Sequence, residues 1–299
     1  MFGLFELFMY FICVLSLILS GYFTLKSYQK PVKNAYFGIK MPADVINSDE
    51  VIEIVQRFTS ASKRYLLISF ALSLPFLFKY EYVSVYILMI TIYMFVGSAF
   101  LQIPYVKAYK EMKALKQEKN YIDGLEEENN WILGMFYYNK NDKRIFIESL
   151  YMKTNFTVNM ATNIGKWLSV FIVVGVLALF MLLFAICYDE IIHPRINVVN
   201  AEKVRITSAL YGRDVLISDI MNISMITEED MPKGVKINGM STQKVLRGNF
   251  NTRDGKALIF VNRGDGNLIK IETSDFTIFI NTLSPAEIES IFHEIRSLL

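Results

Sequence analysis

In 299 residues the chain has only two cysteines, Cys13 and Cys187, each inside a long apolar run where a thiol behaves as a small hydrophobe. That scarcity excludes a disulfide framework and a Cys/His metal site. Histidine is equally rare: neither His193 nor His293 has a metal-ligating neighbour at i+3 or i+4, so a zinc site and a proton shuttle are not expected. No G-x-x-x-x-G-K-[ST] loop, dinucleotide fingerprint or G-x-S-x-G elbow occurs, so nucleotide chemistry and acyl transfer lose their usual handles. A net charge of +2 provides no basic field, and nucleic acid is not an expected partner. We expect no catalytic residue and no cofactor. An enzyme would have to assemble its groups from the scattered acids and arginines of the loops.

What the chain has in excess is apolar residues, 53% of the total, gathered in four runs. The first, Gly3 to Leu25, carries one charge, Glu6, close enough to its start to lie in the interface, and is long enough to cross a bilayer. It lacks the basic flank and A-x-A-like site of a cleaved leader. The second run, Tyr65 to Phe78, contains Pro75 and is joined by Lys79-Tyr80-Glu81-Tyr82 to a third, Val83 to Tyr105. Residues 65–105 therefore read as a helical hairpin with its turn at the water boundary. The fourth run, Trp167 to Tyr188 within 166–188, holds no charge and has aromatic ends. The expected fold is membrane α-helical, with about four transmembrane helices, plus a C-terminal β-rich domain. Charge-free third and fourth spans disfavour an ion-coupled transporter.

Orientation follows from basic residues, which resist translocation. Lys26, Lys30, Lys33, Lys40, Arg57, Lys63 and Arg64 place 26–64 in the cytoplasm and the N-terminus outside. Lys107, Lys110, Lys113, Lys116 and Lys119 do the same for 106–166, whose first part, 106–130, is a basic juxtamembrane helix and acidic linker, and the fourth span then puts the C-terminal domain outside. If the second run only dips into the membrane, that domain changes sides. The five lysines either face anionic lipid head groups as a broad flank or anchor and orient the third span.

Within 26–64, Asn47 or Ser48 can cap a helix with Asp49, Glu50 and Glu53 near its start and Val51, Ile54, Val55 and Phe58 on one face. That face would lie on the bilayer, on the bundle or on a partner. Glu126-Glu127-Glu128-Asn129-Asn130 reads as an acidic linker. Residues 131–165 alternate aromatic and β-branched positions around a polar turn at 140–143, which predicts two or three short strands in a small cytoplasmic unit. Its Trp131 and paired tyrosines would form a tiny core.

From about Val198, period-two runs alternate with turns at Tyr211-Gly212-Arg213-Asp214, Asn238-Gly239, Thr252-Arg253-Asp254-Gly255 and Arg263-Gly264-Asp265-Gly266. Arg263-Gly264-Asp265 is read as a hairpin turn rather than an adhesion signal. Asn155-Phe156-Thr157 and Asn222-Ile223-Ser224 are read as chance matches to a glycosylation triplet. Ser284, Pro285 and Glu287 make a capping box, and Ile288, Ile291, Phe292, Ile295 and Leu298 form a stripe that must cover a sheet.

The string Trp131-x-x-Gly134-x-Phe136-Tyr137-x-Asn139, with Phe156-Thr157-Val158-Asn159 downstream, resembles a short uncharacterised domain of bacterial multi-pass membrane proteins. Tyr211-Gly212-Arg213-Asp214 and Asn281 resemble the bacterial PH-like module found at their C-terminus, here 197–299, and Gly38-Ile39-Lys40-Met41-Pro42 resembles the loop after their first helix. Such proteins are related in architecture to sporulation-delay immunity proteins, which implies sensing of, or immunity to, envelope-acting peptides. The resemblance implies no catalytic residues. The expected partners are the lipid bilayer and a peptide or protein bound by the PH-like domain; oligomeric state stays open. The alternative is a small permease or accessory subunit of a transport complex, for which Gly97-Ser98-Ala99 would allow close helix approach.

Overall fold

A computed structural model describes residues 4–32, 34–78, 80–121, 129–148, 156–264, 266–282 and 284–299. The acidic linker at Glu126–Glu128, and Lys33, Lys79, Asn155 and Asp265, lie outside the described residues. Two compact units emerge: Met1–Lys79 with Met89–Ala178, and Tyr80–Leu88 with Leu179–Leu299.

Helix α1 (Leu4–Ser27) relaxes into a π turn at Phe11–Leu15. Helix α2 (Asp49–Ser73) is capped by Ser48, whose hydroxyl accepts from the Val51 amide at 3.5 Å, and ends in a 3₁₀ turn at Leu74–Leu77 that contains Pro75. Helix α3 (Val83–Leu101) is followed almost without a break by α4 (Ile103–Glu118), which has Pro104 in its first turn. Helix α5 (Asn163–Ile191) is the longest. Among the described residues three helical stretches are long and apolar enough to cross a membrane: Leu4–Ser27, Val83–Glu118 and Asn163–Ile191.

The expected second span is not a separate helix: the amphipathic segment and the 65–78 run form the single helix α2. Helix α2 lies antiparallel to α1. Tyr28 stacks edge-on to Phe58 at one end, and the Tyr10 hydroxyl lies 2.9 Å from that of Ser73 at the other. It is antiparallel to α3 as well, through Tyr65 with Phe100, and through a Ser69–Tyr93 hydroxyl contact of 3.0 Å. Gly21 and Gly97 supply the close approaches, since a Cβ on Gly21 would meet Leu101 at 2.7 Å and one on Gly97 would meet Leu17 at 3.0 Å. Glu6, expected at the water boundary, is 4% exposed.

Beyond this bundle, the β1–β2 hairpin (Ala35–Tyr36, Ile39–Lys40) turns through Phe37 and Gly38, both at positive φ. It buries Phe37, Ile39 and Met41 against Val51, Ile54 and Phe58 of α2 and Tyr105, Tyr109 and Met112 of α4. The apolar face read at 51–58 therefore packs on its own chain. Strands β3 (Trp131–Ile132) and β4 (Phe136–Tyr137) form one hairpin, and β5 (Phe146–Glu148) and β6 (Phe156–Val158) another. Trp131, Tyr137 and Ile147 make the small core between them.

The C-terminal unit holds a three-stranded antiparallel sheet: β7 (Arg195–Val199), β8 (Lys203–Thr207) and β9 (Gly212–Leu216). Its six-stranded sheet contains β10 (Ile220–Ile226), β11 (Gly234–Ser241), β12 (Val245–Thr252), β13 (Gly255–Asn262), β14 (Leu268–Thr273) and β15 (Thr277–Ile280). The order is β10-β14-β15-β13-β12-β11, with β13 and β15 parallel. Both faces are apolar, which explains the unbroken Leu258-Ile259-Phe260-Val261: Phe260 joins the large core while Ile259 and Val261 face the opposite cluster. Helix α6 (Pro285–Arg296) closes the large core with Ile288, Phe292 and Ile295, as its stripe predicts. Ser284 occupies the N-cap, but its side chain makes no capping bond, so the capping box is not formed.

Two expected turns are strand instead. Gly212–Leu216 is β9, and the reversal falls one step earlier, where the Ser208 amide donates to the Tyr211 carbonyl at 2.7 Å. Asn238-Gly239 lies inside β11, beside a register shift after Lys236. The positive φ that makes such a pair a turn signal here serves a bulge. Asp214 accepts from both Arg205 and Lys203, which hold its carboxyl well below the usual carboxylate range. Its contribution to stability is therefore present above about pH 4 and is lost as pH falls below that.

Candidate functional site

Three places gather polar chemistry among the described residues. The first is the last turn of α5, an apolar helix that ends in Asp189 and Glu190. Two carboxylates at a helix C-terminus are opposed by the helix dipole, so their burial requires partners. Both are buried, at 0% and 1% exposure, and the partner is Arg247 on β12, also at 0%. The Arg247 guanidinium donates to the backbone carbonyl of Asp189, to that of Ile192 at 2.5 Å and to the Asn262 side-chain oxygen at 2.6 Å, with the Asp189 carboxylate 3.5 Å away. Asp189 also accepts from the Leu210 amide at 3.1 Å, and Glu190 from the Ser84 amide at 2.8 Å. Burial pulls the Arg247 guanidinium below its ordinary value, and Asp189 opposes that shift. Asn262 is fixed in turn by Asn281, whose side chain accepts from the Asn262 amide and donates to its carbonyl. The network reaches the start of α3, where Glu81 pairs with Lys244 at 2.8 Å. Most of its donors and acceptors face one another, while Arg247 Nε, Asp189 Oδ2 and Glu190 Oε1 are buried without a hydrogen-bond partner among the described residues.

The second place is a groove of about 520 Å³ in the C-terminal unit, between β10 and α6, lined by Met221, Asn222, Ser224, Met225, Phe292 and Arg296. Strand β10 is an edge of its sheet: β14 pairs with one side, and no described strand pairs with the other. Met221 is 73% exposed and Arg296 stacks over Phe292, so the groove offers unpaired backbone, apolar side chains and a cation.

The third place holds the lysines expected to form a basic flank. Lys107, Lys110, Lys113 and Lys116 lie on α4 and Lys119 follows it. A step of three residues falls short of a 3.6-residue turn, so successive lysines rotate about 60° around the helix. Lys119 also lies about 18 Å farther along the axis than Lys107 and pairs with Glu50 at 2.9 Å. Lys113 and Lys116 are half-buried, whereas Lys107 is exposed beside α2.

The residues of the W-x-x-G-x-F-Y-x-N string are structural. Gly134 turns the hairpin at positive φ, and the Tyr137 hydroxyl donates to Asp142 at 3.1 Å. Asn159, fully buried, accepts from the Asn139 and Ala161 amides and donates to the Asn139 and Asp142 carbonyls. Removing four such bonds leaves buried backbone groups unpaired, so Asn159→Ala is expected to cost about 2–3 kcal/mol. Faster proteolytic cleavage within 131–161 is the readout.

Gly264 donates its amide to Glu228 at 2.9 Å at a positive-φ turn. Asn222 sits on the exposed edge strand and donates to Glu272 at 2.8 Å. No group of three His, Cys, Asp or Glu side chains capable of holding a metal occurs among the described residues.

Sequence reasoning missed the Arg247 network and the β10 edge groove. An acid pair directly after a charge-free span is the one local signal that could have pointed to the first.

Residues 197–299, the C-terminal third, match the family model described as a bacterial PH domain. No curated protein and no solved structure matches the chain.

Proposed function

We propose that this is a non-enzymatic, membrane-anchored receptor whose PH-like domain captures an extended peptide by strand addition at β10. The observation that carries the reading is the β10 edge, unpaired among the described strands, set beside α6 in a groove of mixed polarity with Arg296 over Phe292. An incoming strand would satisfy the free backbone groups, side chains of one parity would enter the groove, and an acidic group would reach Arg296. Sensing of, or immunity to, envelope-acting peptides is the physiological role in keeping with such a receptor.

The test uses full-length protein in detergent and peptides selected on it from a random library. Bound peptide should slow amide exchange across 220–226, and Met221→Asp with Arg296→Glu, both at exposed positions, should weaken binding at least about tenfold. Peptides that bind this double variant as well as the parent would sink the reading.

The receptor reading includes four crossings with the C-terminal domain outside. The apolar half of α2 runs alongside α1 from Leu66 near Gly21 to Ser73 at Tyr10, and α3 returns beside it. A dual topology reporter fused after Leu299 is expected to score extracytoplasmic. A cytoplasmic score would mean that α2 does not cross and would turn the search to internal peptides.

A second reading, an accessory subunit of a transport complex, is favoured by α5. Only 6% of its most apolar stretch is buried, against 22% for α1 and 28% for α3 with α4. A helix apolar all round and left open accommodates lipid or a neighbouring helix equally well. Stable co-purification of a transporter, lost on Phe171→Ala with Phe184→Ala, would favour this reading over the receptor.

A further inference from the structure

A groove of about 590 Å³ lies between α2 and α4, lined by Glu53, Gln56, Arg57, Ser60, Arg64 and Tyr65 from the first and Lys107 from the second. Its cations are not equivalent. Arg57 is held by Glu53 at 2.5 Å and Glu111 at 3.0 Å. Arg64 and Lys107 have no ion-pair partner among the described residues. Two unpaired cations facing one groove repel each other and favour an anion between them.

The level of the groove identifies the anion. Arg64 is the last charge of α2 before its apolar half, and Lys107 is the first charge after the apolar α3. Leu66 and Leu101 both lie against Gly21 of α1, so the two helices change character at the same height. Along the same two helices, Leu67 at 69% and Ile68 at 43% exposure follow Tyr65 on α2, and Ile103, four residues before Lys107, is exposed on α4. A soluble anion has no use for that apolar shelf, whereas a phospholipid needs both parts. Tyr65, braced on Phe100 at 4.7 Å, stands at the boundary where an amphipathic ring is stable.

We infer that this groove seats the phosphate of an anionic phospholipid between Arg64 and Lys107, with acyl chains on Leu67, Ile68 and Ile103. The site is independent of the peptide groove. It differs from a diffuse lysine flank in needing only one of the five lysines, because the others rotate away, pair or lie far along α4.

The test is native mass spectrometry of the full-length protein released from vesicles of phosphatidylcholine and phosphatidylglycerol in equal parts. Parent protein is expected to retain phosphatidylglycerol over phosphatidylcholine. Arg64→Gln with Lys107→Gln should reduce that retention about 30-fold, two interfacial charges each contributing roughly fivefold. Lys110→Gln with Lys119→Gln removes the same charge elsewhere and should leave retention within about twofold of the parent. Equal losses in both double variants would overturn the site in favour of general surface attraction. Binding of inorganic phosphate to lipid-free protein, undiminished by added phosphatidylglycerol, would overturn the lipid and assign the groove to a soluble anion.

Discussion

Arg247→Ala is expected to unfold most of the C-terminal domain at temperatures the parent tolerates. The substitution leaves the Asp189 and Glu190 carboxylates buried, at 0% and 1% exposure, with no cation beside them. Removing one partner of a buried pair typically costs about 3–5 kcal/mol, because it leaves an uncompensated charge buried away from water. For a domain near 100 residues that is a fall in Tm on the order of 15 °C or more. Trp131 and Trp167 both lie outside this domain, so tryptophan fluorescence would not report the change. Hydrogen exchange across β12 and β13 would. A compensated variant separates charge from shape: Arg247→Met combined with Asp189→Asn and Glu190→Gln should recover a substantial part of the loss. If Arg247→Ala alone melts within a few degrees of the parent, the network does not bear on stability as argued.

Gly239→Ala is the second large effect. Gly239 and Gly248 are cross-strand partners on β11 and β12, with φ of +147° and +110°. A Cβ on Gly239 would lie 2.0 Å from the Arg247 carbonyl oxygen, and one on Gly248 would lie 2.3 Å from that of Asn238. Backbone cannot rotate aside as a side chain can, so β11 would have to leave β12, at a cost of at least about 3 kcal/mol. Gly255→Ala is the matched control, since its φ is +121° but a Cβ there meets nothing within 4 Å. It should cost only backbone strain, roughly 1 kcal/mol. Rapid exchange confined to 234–252 in the Gly239 variant, absent in the Gly255 variant, is the expected pattern. Equal costs would mean that conformation, not close approach, governs both sites.

What was legible in the sequence was local. The α6 stripe, the alternation of strand and turn beyond Val198 and the Thr252–Gly255 hairpin follow from periods of 3.6 or 2 and from turn residues, all within a few positions of one another. Where the reading failed, the deciding fact was distant or ambiguous. Arg247 and Asp189 are 58 residues apart, and no pattern near either announces the other. Asn238-Gly239 supplies the backbone freedom a turn needs, yet that freedom was used for a bulge where two strands press together. The helix α2 was read as two pieces because its polar half and its apolar half are so unlike. A change of surroundings along a helix resembles a break in the chain when only composition is visible. The five lysines looked like one flank because three is close to 3.6, and the small mismatch accumulates to opposite sides of α4.

The Arg247 clamp also governs how the domain can be excised. The matched family segment begins at residue 197, but the acids that neutralise Arg247 are at 189 and 190, and the compact unit takes in Leu179 onward together with Tyr80–Leu88. A fragment cut at 197 would carry a buried guanidinium stripped of its counter-charges and of the Ile192 carbonyl. Such a fragment is expected to aggregate or refold around the defect, whereas one that begins inside the apolar helix keeps its charge balance but needs detergent. The compact unit is therefore longer than the segment that sequence similarity delimits, and it takes in the last turns of the apolar helix α5.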